Sequence, residues 1–303
     1  MRIYIALTDF DWYKRLKNAN LEEVNFWRPG STGFKALNPD DLFLFKLKAP
    51  YDAIVGGGFF FRYDRLPIRV AWNYFGIENG TRNFEEFDIS LKKYRAKNNI
   101  TSFPDVGCIV LNAPFYLEQK FWIASPTDMA KNIVGGKLYD SEIGEGKRIY
   151  AQVMERMALS EHVVGEDNKP NLYNLYLTKH RIGQGAFRLL IANTYNRRCA
   201  ISGEKTLPVL QAAHIKPYTQ SGPNIAPNGI LLRTDIHQLF DDGYITITPD
   251  YEVRVSERLH KDYGNGKMYY QFNKEKLIYL PQNESDKPNK EFLEWHNDMV
   301  FLK

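Results

Sequence analysis

Leu210 to Tyr244 reads LQAAHIKPYTQSGPNIAPNGILLRTDIHQLFDDGY, with His214, Asn228 and His237 in order and Asp241 four residues past the second histidine. An apolar run leads into His214, a Gly/Pro-rich loop follows, and a second short apolar run leaves Asn228. The pattern predicts strand, loop, strand and then a helix starting near Asp235, with Thr234 or Asp235 as its cap. Side chains four apart on a helix share one face, so His237 and Asp241 can bind one cation together. His214, at the end of its strand, can face that cation across the loop. A neutral imidazole suits the proton abstraction that phosphodiester hydrolysis requires, and a cation suits the charge that develops on the phosphate. Asn228 can hold the loop or orient His214 through its amide.

Working outward, 303 residues allow two domains, and 44% hydrophobic with 25% charged residues is the composition of a globular protein. No apolar run reaches the roughly 18–20 residues of a membrane span. The opening MRIYIALTDFDWYKR alternates at Ile3, Ile5 and Leu7, and reads as a first strand rather than a signal peptide. Cys108 and Cys199 are the only cysteines, which excludes a disulfide framework and a four-cysteine zinc site; an intracellular, cytoplasmic location is the expectation. A net charge of +4 permits a nucleic-acid partner without requiring one.

Residues 1 to about 135 read as short strands around turn signals with a few helices, the pattern of a small α/β barrel. Strands are expected at Leu42–Leu47, Tyr51–Phe61, Val106–Leu111 and Gln119–Ile123, and helices at Pro67–Phe75 and Glu85–Ala96. Gly56-Gly57-Gly58 inside a strand marks a bulge, a close backbone approach or a barrel corner. Lys92, Lys93, Arg95 and Lys97 read most simply as a solvated helix face, with phosphate contact as the functional alternative. Glu145–Leu159 is expected to be helical, with a polar linker at Gly165–Pro170. Helices are also expected at Gln184–Arg197 and Lys287–Phe301, and Tyr244–Val255 predicts a hairpin about Pro249-Asp250.

Each site residue alone has an ordinary reading: a structural histidine, an Asn-Gly turn, a helix stop at Asp241-Asp242-Gly243. His162, His180, His260 and His296 keep that reading. The joint order is what points to a hydrolytic site.

His214-Ile215-Lys216-Pro217, Asn228-Gly229-Ile230-Leu231-Leu232 and His237-Gln238-Leu239-Phe240-Asp241 resemble the HNH endonucleases with a ββα-metal core. Gly183–Arg188 and Cys199–Gly203 are similar to the variety fused to modification-dependent restriction enzymes. The likeness covers about residues 181–303. It implies His214 as general base, Asn228 as the orienting asparagine, His237 as metal ligand and Asp241 as a second ligand. Mg²⁺ is the default divalent ion, with Mn²⁺ or another as alternatives. Many such nucleases carry His or Asp just before the base; here that position is Ala213.

The front of the chain, through Trp27–Ser31, Leu42–Leu47 and Ile54–Phe61, resembles the PUA-like superfamily, which includes EVE, ASCH, YTH and SRA-type domains. The layout is similar to EVE-HNH restriction endonucleases acting on DNA with modified cytosine. An α+β chain is therefore expected: a PUA-like β-barrel reader over 1–140, a helical linker over 141–180 and the nuclease over 181–303. The implied activity is base flipping and cleavage of double-stranded DNA carrying 5-methylcytosine or 5-hydroxymethylcytosine, by a homodimer of a prokaryotic restriction system. Trp27, Phe59, Phe60 and Trp72 are the ring candidates, Ser31 and Asp105 the polar partners, and Arg197 and Arg198 the phosphate contacts. The competing readings are an HNH nicking enzyme indifferent to modification and a nucleic-acid reader with a decayed nuclease.

Overall fold

Six consecutive buried residues, Leu42–Leu47, form strand β3, which is covered on both faces. Its Leu42 and Leu44 enter one apolar cluster, and Phe43, Phe45 and Leu47 enter another. The alternation of the pleat thus feeds two cores from one strand. Around it lie β1 (Arg2–Thr8), β2 (Glu23–Arg28), β4 (Ala53–Pro67), β5 (Asp105–Tyr116), β6 (Ile123–Ala124) and β7 (Gly136–Asp140). The sheet order is β2-β5-β4-β3-β1-β7, with β6 paired to β4; β1 and β3 run parallel and the remaining pairs antiparallel.

The computed structural model describes residues 1–30, 32–97, 99–100, 105–130, 133, 135–160 and 182–303. Its contacts divide the chain into two units, Met1–Gly183 and Gln184–Lys303. Ser31, His162, His180 and the linker expected at 165–170 lie outside the described residues.

In the first unit, α1 (Phe10–Ala19) supplies Tyr13 and Leu16 to one face of the sheet. Helix α4 (Gly144–Ser160) supplies Ile149, Val153 and Met157 to the other. That helix falls in the segment expected to be a linker, and here its apolar stripe completes the first unit's core. Helices α2 (Ile68–Phe75) and α3 (Phe84–Lys97) match their expected spans. Residues Gln119–Phe121 form a 3-10 turn instead of the expected strand, and only Ile123 and Ala124 pair. Helix α1 escaped the sequence reading because its polar residues obscure a two-residue buried stripe.

The glycine triplet is a place of close approach. A Cβ on Gly56 would lie 2.3 Å from the Phe115 carbonyl oxygen, and one on Gly57 2.5 Å from that of Phe43. The β4–β5 register also slips between Gly57 and Phe59, the signature of a bulge.

The second unit begins with α5 (Gln184–Thr194), which packs on the hairpin of β8 (Leu210–His214) and β9 (Gly229–Arg233). Helix α6 (Thr234–Asp241) follows directly, then the predicted hairpin of β10 (Ile245–Ile247) and β11 (Val253–Val255). Short helices α7 (Arg258–Tyr263) and α8 (Lys267–Tyr270) precede α9 (Lys290–Met299). Neither Thr234 nor Asp235 caps α6. Arg233 holds the cap position without a side-chain bond, and Asp235 instead receives the Arg233 guanidinium at 2.6 and 2.8 Å.

His296 on α9 anchors this core. Its ring stacks on Phe240 at 3.8 Å, Nε2 donates to the Phe240 carbonyl at 3.1 Å, and Nδ1 lies 2.8 Å from Thr246 Oγ1. Burial holds the imidazole neutral, lowering its pKa from 6.5 to about 4. The unfolded chain therefore takes up this proton first. Stability from the site is full above pH 6.5 and drains away as pH falls to about 4, a loss of roughly 3 kcal/mol. Urea midpoints should accordingly fall between pH 7 and pH 4.5, and His296→Gln should flatten that slope; an equally steep variant would disprove the assignment.

Candidate active site

The loop joining β8 to β9 is tied by one buried side chain. Asn228 has no solvent exposure. Its Nδ2 donates to the carbonyls of Lys216 (2.9 Å) and Pro223 (3.0 Å), and its Oδ1 accepts from the Lys216 N–H (2.9 Å). The Ile215 N–H donates to the Asn228 carbonyl at 3.0 Å and continues the ladder. Of the two roles open to Asn228, the geometry gives it the loop. Gly222 sits inside this clasp, where a Cβ would stand 1.8 Å from the Lys216 carbonyl oxygen.

His214 ends β8 opposite Gly229. Its ring stacks on Phe187 of α5 at 4.0 Å and 13°, and its Nε2 lies 2.8 Å from Asn224 Oδ1. Burial lowers its pKa below the ordinary imidazole value. The Asn224 bond and the Asp241 carboxylate work in the opposite direction, and the charges of His237 and Arg188 work with burial. At neutral pH His214 is thus an unprotonated imidazole that senses both of the other titratable groups.

His237 and Asp241 share one face of α6, as their spacing requires, with Nε2 and Oδ2 3.2 Å apart. Burial pushes His237 down and Asp241 up, although the rest of the Asp241 side chain stays open to solvent. The other ring nitrogen of His237, Nδ1, lies 2.8 Å from Gln211 Oε1. A carbonyl oxygen can only accept, so Nδ1 carries the hydrogen and Nε2 turns a lone pair toward a carboxylate. Two acceptors at that separation require a proton or a metal cation between them, and an imidazole nitrogen beside a carboxylate is a donor set that suits a divalent ion. Among the described residues no group of three or more His, Cys, Asp or Glu forms a ready-made site. Ala213 is fully buried and offers no ligand.

An open hollow of about 620 Å³ runs along this face, lined by Gln211, Arg233, Asp235, His237, Gln238 and Asp241. Asp235 also accepts from the Tyr269 hydroxyl at 3.0 Å. Cys199 serves the scaffold: its Sγ accepts from the backbone N–H groups of Ser202 and Arg233, each at 3.3 Å. Of the basic pair behind α5, Arg198 lies over the Tyr279 ring at 5.8 Å, and Arg197 takes a positive φ of 54°.

Residues proposed for base recognition separate into two sets. Phe59 and Phe60 are 1% and 5% exposed and belong to the two cores of the sheet, which corrects their reading as pocket walls. Burial on both faces of β4 put successive rings into opposite cores. Trp27 and Trp72 are half-buried and meet around Phe87, with centroids 5.8 and 6.1 Å from it. Trp27 Nε1 donates to the Asn79 carbonyl at 3.0 Å. Asp105 starts β5, and its carbonyl accepts from Arg95 Nη2 at 2.6 Å. Arg95 therefore turns inward rather than joining a solvated face.

Gln211, Asn224 and Phe187 were missed in the sequence. A polar residue inside an apolar strand was the signal for Gln211; Asn224 carries none that distinguishes it from any loop asparagine.

Residues 199–248 match the family model described as HNH endonuclease. No curated protein matches the chain. Among solved structures, an ASCH protein of Zymomonas mobilis aligns at 10% identity, covering 49% of this chain and 96% of its own, with a TM-score of 0.31. The modification-dependent TagI restriction endonuclease aligns at 13% identity over 86% of this chain and 61% of its own, TM-score 0.28. The phosphorothioation-dependent restriction endonuclease ScoMcrA aligns at 13% over 78% and 52%, TM-score 0.22. The second unit of this chain thus carries an HNH endonuclease domain over residues 199–248.

Asn228→Ala would orphan the Lys216 amide and carbonyl in a buried clasp and leave the Pro223 carbonyl with the Ile225 N–H alone. The expected cost is roughly 2–4 kcal/mol, read as a lower urea midpoint. A midpoint within experimental scatter of the parent would show that the clasp is dispensable.

Proposed function

We propose that the chain is a modification-dependent DNA endonuclease. Its first unit reads a modified cytosine, 5-hydroxymethylcytosine or 5-methylcytosine, turned out of the duplex, and its second hydrolyses nearby phosphodiester bonds. The hydrolytic half rests on one observation: a neutral imidazole at a strand end beside an imidazole–carboxylate pair that needs a cation between its donors.

In this reading His214 accepts a proton from water as the water attacks phosphorus in line, and Asn228 keeps the loop that presents His214 rigid. His237 and Asp241 would hold a divalent cation, Mg²⁺ by default and Mn²⁺ or another by the same donors, and such an ion would supply positive charge to offset that of the phosphate and the departing 3′-oxygen. Arg197 and Arg198 are proposed to meet backbone phosphates. For the reader, Trp27 and Trp72 supply ring faces on which an extruded base could stack, and Asp105, with Ser31, polar partners. The domain plan proposed is a reader in the first unit, with α4 as part of its core although it falls in the 141–180 segment expected to be a linker, and a nuclease over about 181–303. One site cuts one strand, so a homodimer is proposed for double-strand cleavage within an intracellular restriction system.

Plasmids carrying cytosine, 5-methylcytosine or 5-hydroxymethylcytosine provide the test. The modified plasmids should be cut and the unmodified one spared; equal cutting of all three would remove the modification half of the proposal. His214→Ala should lower cleavage at least ~100-fold, and near-parental rates would exclude His214 as the base. Chelation of divalent ions should stop the reaction, and added Mg²⁺ or Mn²⁺ should restore it; cleavage that persists in chelator would reject the metal role.

A further inference from the structure

We infer that Asn224 is a positioning residue that selects the tautomer of His214, leaving Nδ1 as the atom that takes the proton from water. The inference deepens the proposed hydrolytic reading and rests on it for its catalytic meaning. Its structural content stands on hydrogen-bond chemistry alone.

A neutral imidazole has one N–H and one lone pair, and its neighbours decide which nitrogen keeps the hydrogen. Asn224 presents its carbonyl oxygen to His214 Nε2 at 2.8 Å, and a carbonyl oxygen only accepts. The hydrogen therefore resides on Nε2, and the lone pair on Nδ1. His237 shows the reverse choice: Gln211 Oε1 takes the Nδ1 hydrogen and leaves the lone pair on Nε2, facing Asp241. Two side-chain amides thus give the two histidines opposite reactive nitrogens, one for a proton and one for a cation.

Asn224 is itself held in place. It is 6% exposed and follows Pro223, whose carbonyl is gripped by Asn228. Ile225, on its other side, donates its N–H back to the Pro223 carbonyl at 3.0 Å. The ring of His214 is clamped from below by Phe187. With both partners fixed, rotation of the imidazole cannot exchange the two nitrogens without breaking the stack and the Asn224 bond. Asn228 therefore acts on His214 at one remove, through Pro223 and Asn224, rather than by touching it.

The experiment reads the ring nitrogens directly. Long-range ¹H–¹⁵N spectra of the full chain labelled at histidine, recorded above pH 7 without metal or DNA, report which nitrogen of each neutral imidazole is protonated; loss of a peak in His214→Ala assigns it. His214 should show the Nε2–H form in the parent and in Asn224→Asp, which keeps an oxygen acceptor. In Asn224→Leu the Nδ1–H form should appear. Cleavage kinetics should follow: kcat about ten- to a hundredfold lower in Asn224→Leu with KM unchanged, and restored to within a few-fold by Asn224→Asp. An Nδ1–H form in the parent overturns the inference, as does a leucine variant with unchanged tautomer and unchanged kcat. Should the leucine variant fail to fold, Asn224→Ala removes the acceptor in its place, and an unchanged tautomer with unchanged kcat there overturns the inference equally. Because the spectra need no turnover, a wrong tautomer refutes Asn224, whereas cleavage surviving in His214→Ala refutes the base assignment.

Discussion

Asn228 makes three side-chain hydrogen bonds from a position with no solvent access, and they close the loop between β8 and β9 upon itself. The loop has no regular ladder of its own, so its buried backbone groups would otherwise have no partners. An amide is the side chain suited to this place, because it offers two donors and an acceptor without a charge to desolvate. Gly222 is the complement: it leaves the clasp room to shut. The same closure holds Pro223 beside Asn224, whose side chain meets His214 at the end of β8.

Two buried imidazoles in the second unit show how similar surroundings produce different uses. His296 and His214 each stack on a phenyl ring at about van der Waals distance, and burial lowers both pKa values. His296 has both ring nitrogens engaged, by Thr246 and by the Phe240 carbonyl, and so has nothing left with which to react. For His214 the described contact is at Nε2. Whether a buried histidine is scaffold or base is decided by how its nitrogens are taken up, more than by its pKa.

In the first unit the same sorting applies to aromatic side chains. Phe59 and Phe60, which follow the glycine triplet, are ring candidates only through the resemblance to PUA-like readers. Those glycines instead let β3 and β5 approach β4, and the rings that follow fill the space so created on either face. Trp27 and Trp72 keep part of their surface in solvent, and the Trp27 indole N–H is satisfied by the Asn79 carbonyl.

The sequence alone determined the elements of the catalytic core and their order. Local rules suffice for that: apolar runs of strand length, a Gly/Pro-rich loop, and a four-residue spacing that places His237 beside Asp241. It also determined the β-rich character of the first unit, the span of α3, and the β10–β11 hairpin. What it could not determine were contacts between residues distant along the chain or hidden inside a loop. The contacts of Phe187 with His214, of Gln211 with His237 and of Asn224 with Nε2 could not be read locally, because the stack and the two amide bonds exist only after α5, β8 and the loop have packed. Spacing brought the reactive side chains to one place, and tertiary packing chose which nitrogen each histidine presents, since that choice depends on an acceptor that folding alone delivers.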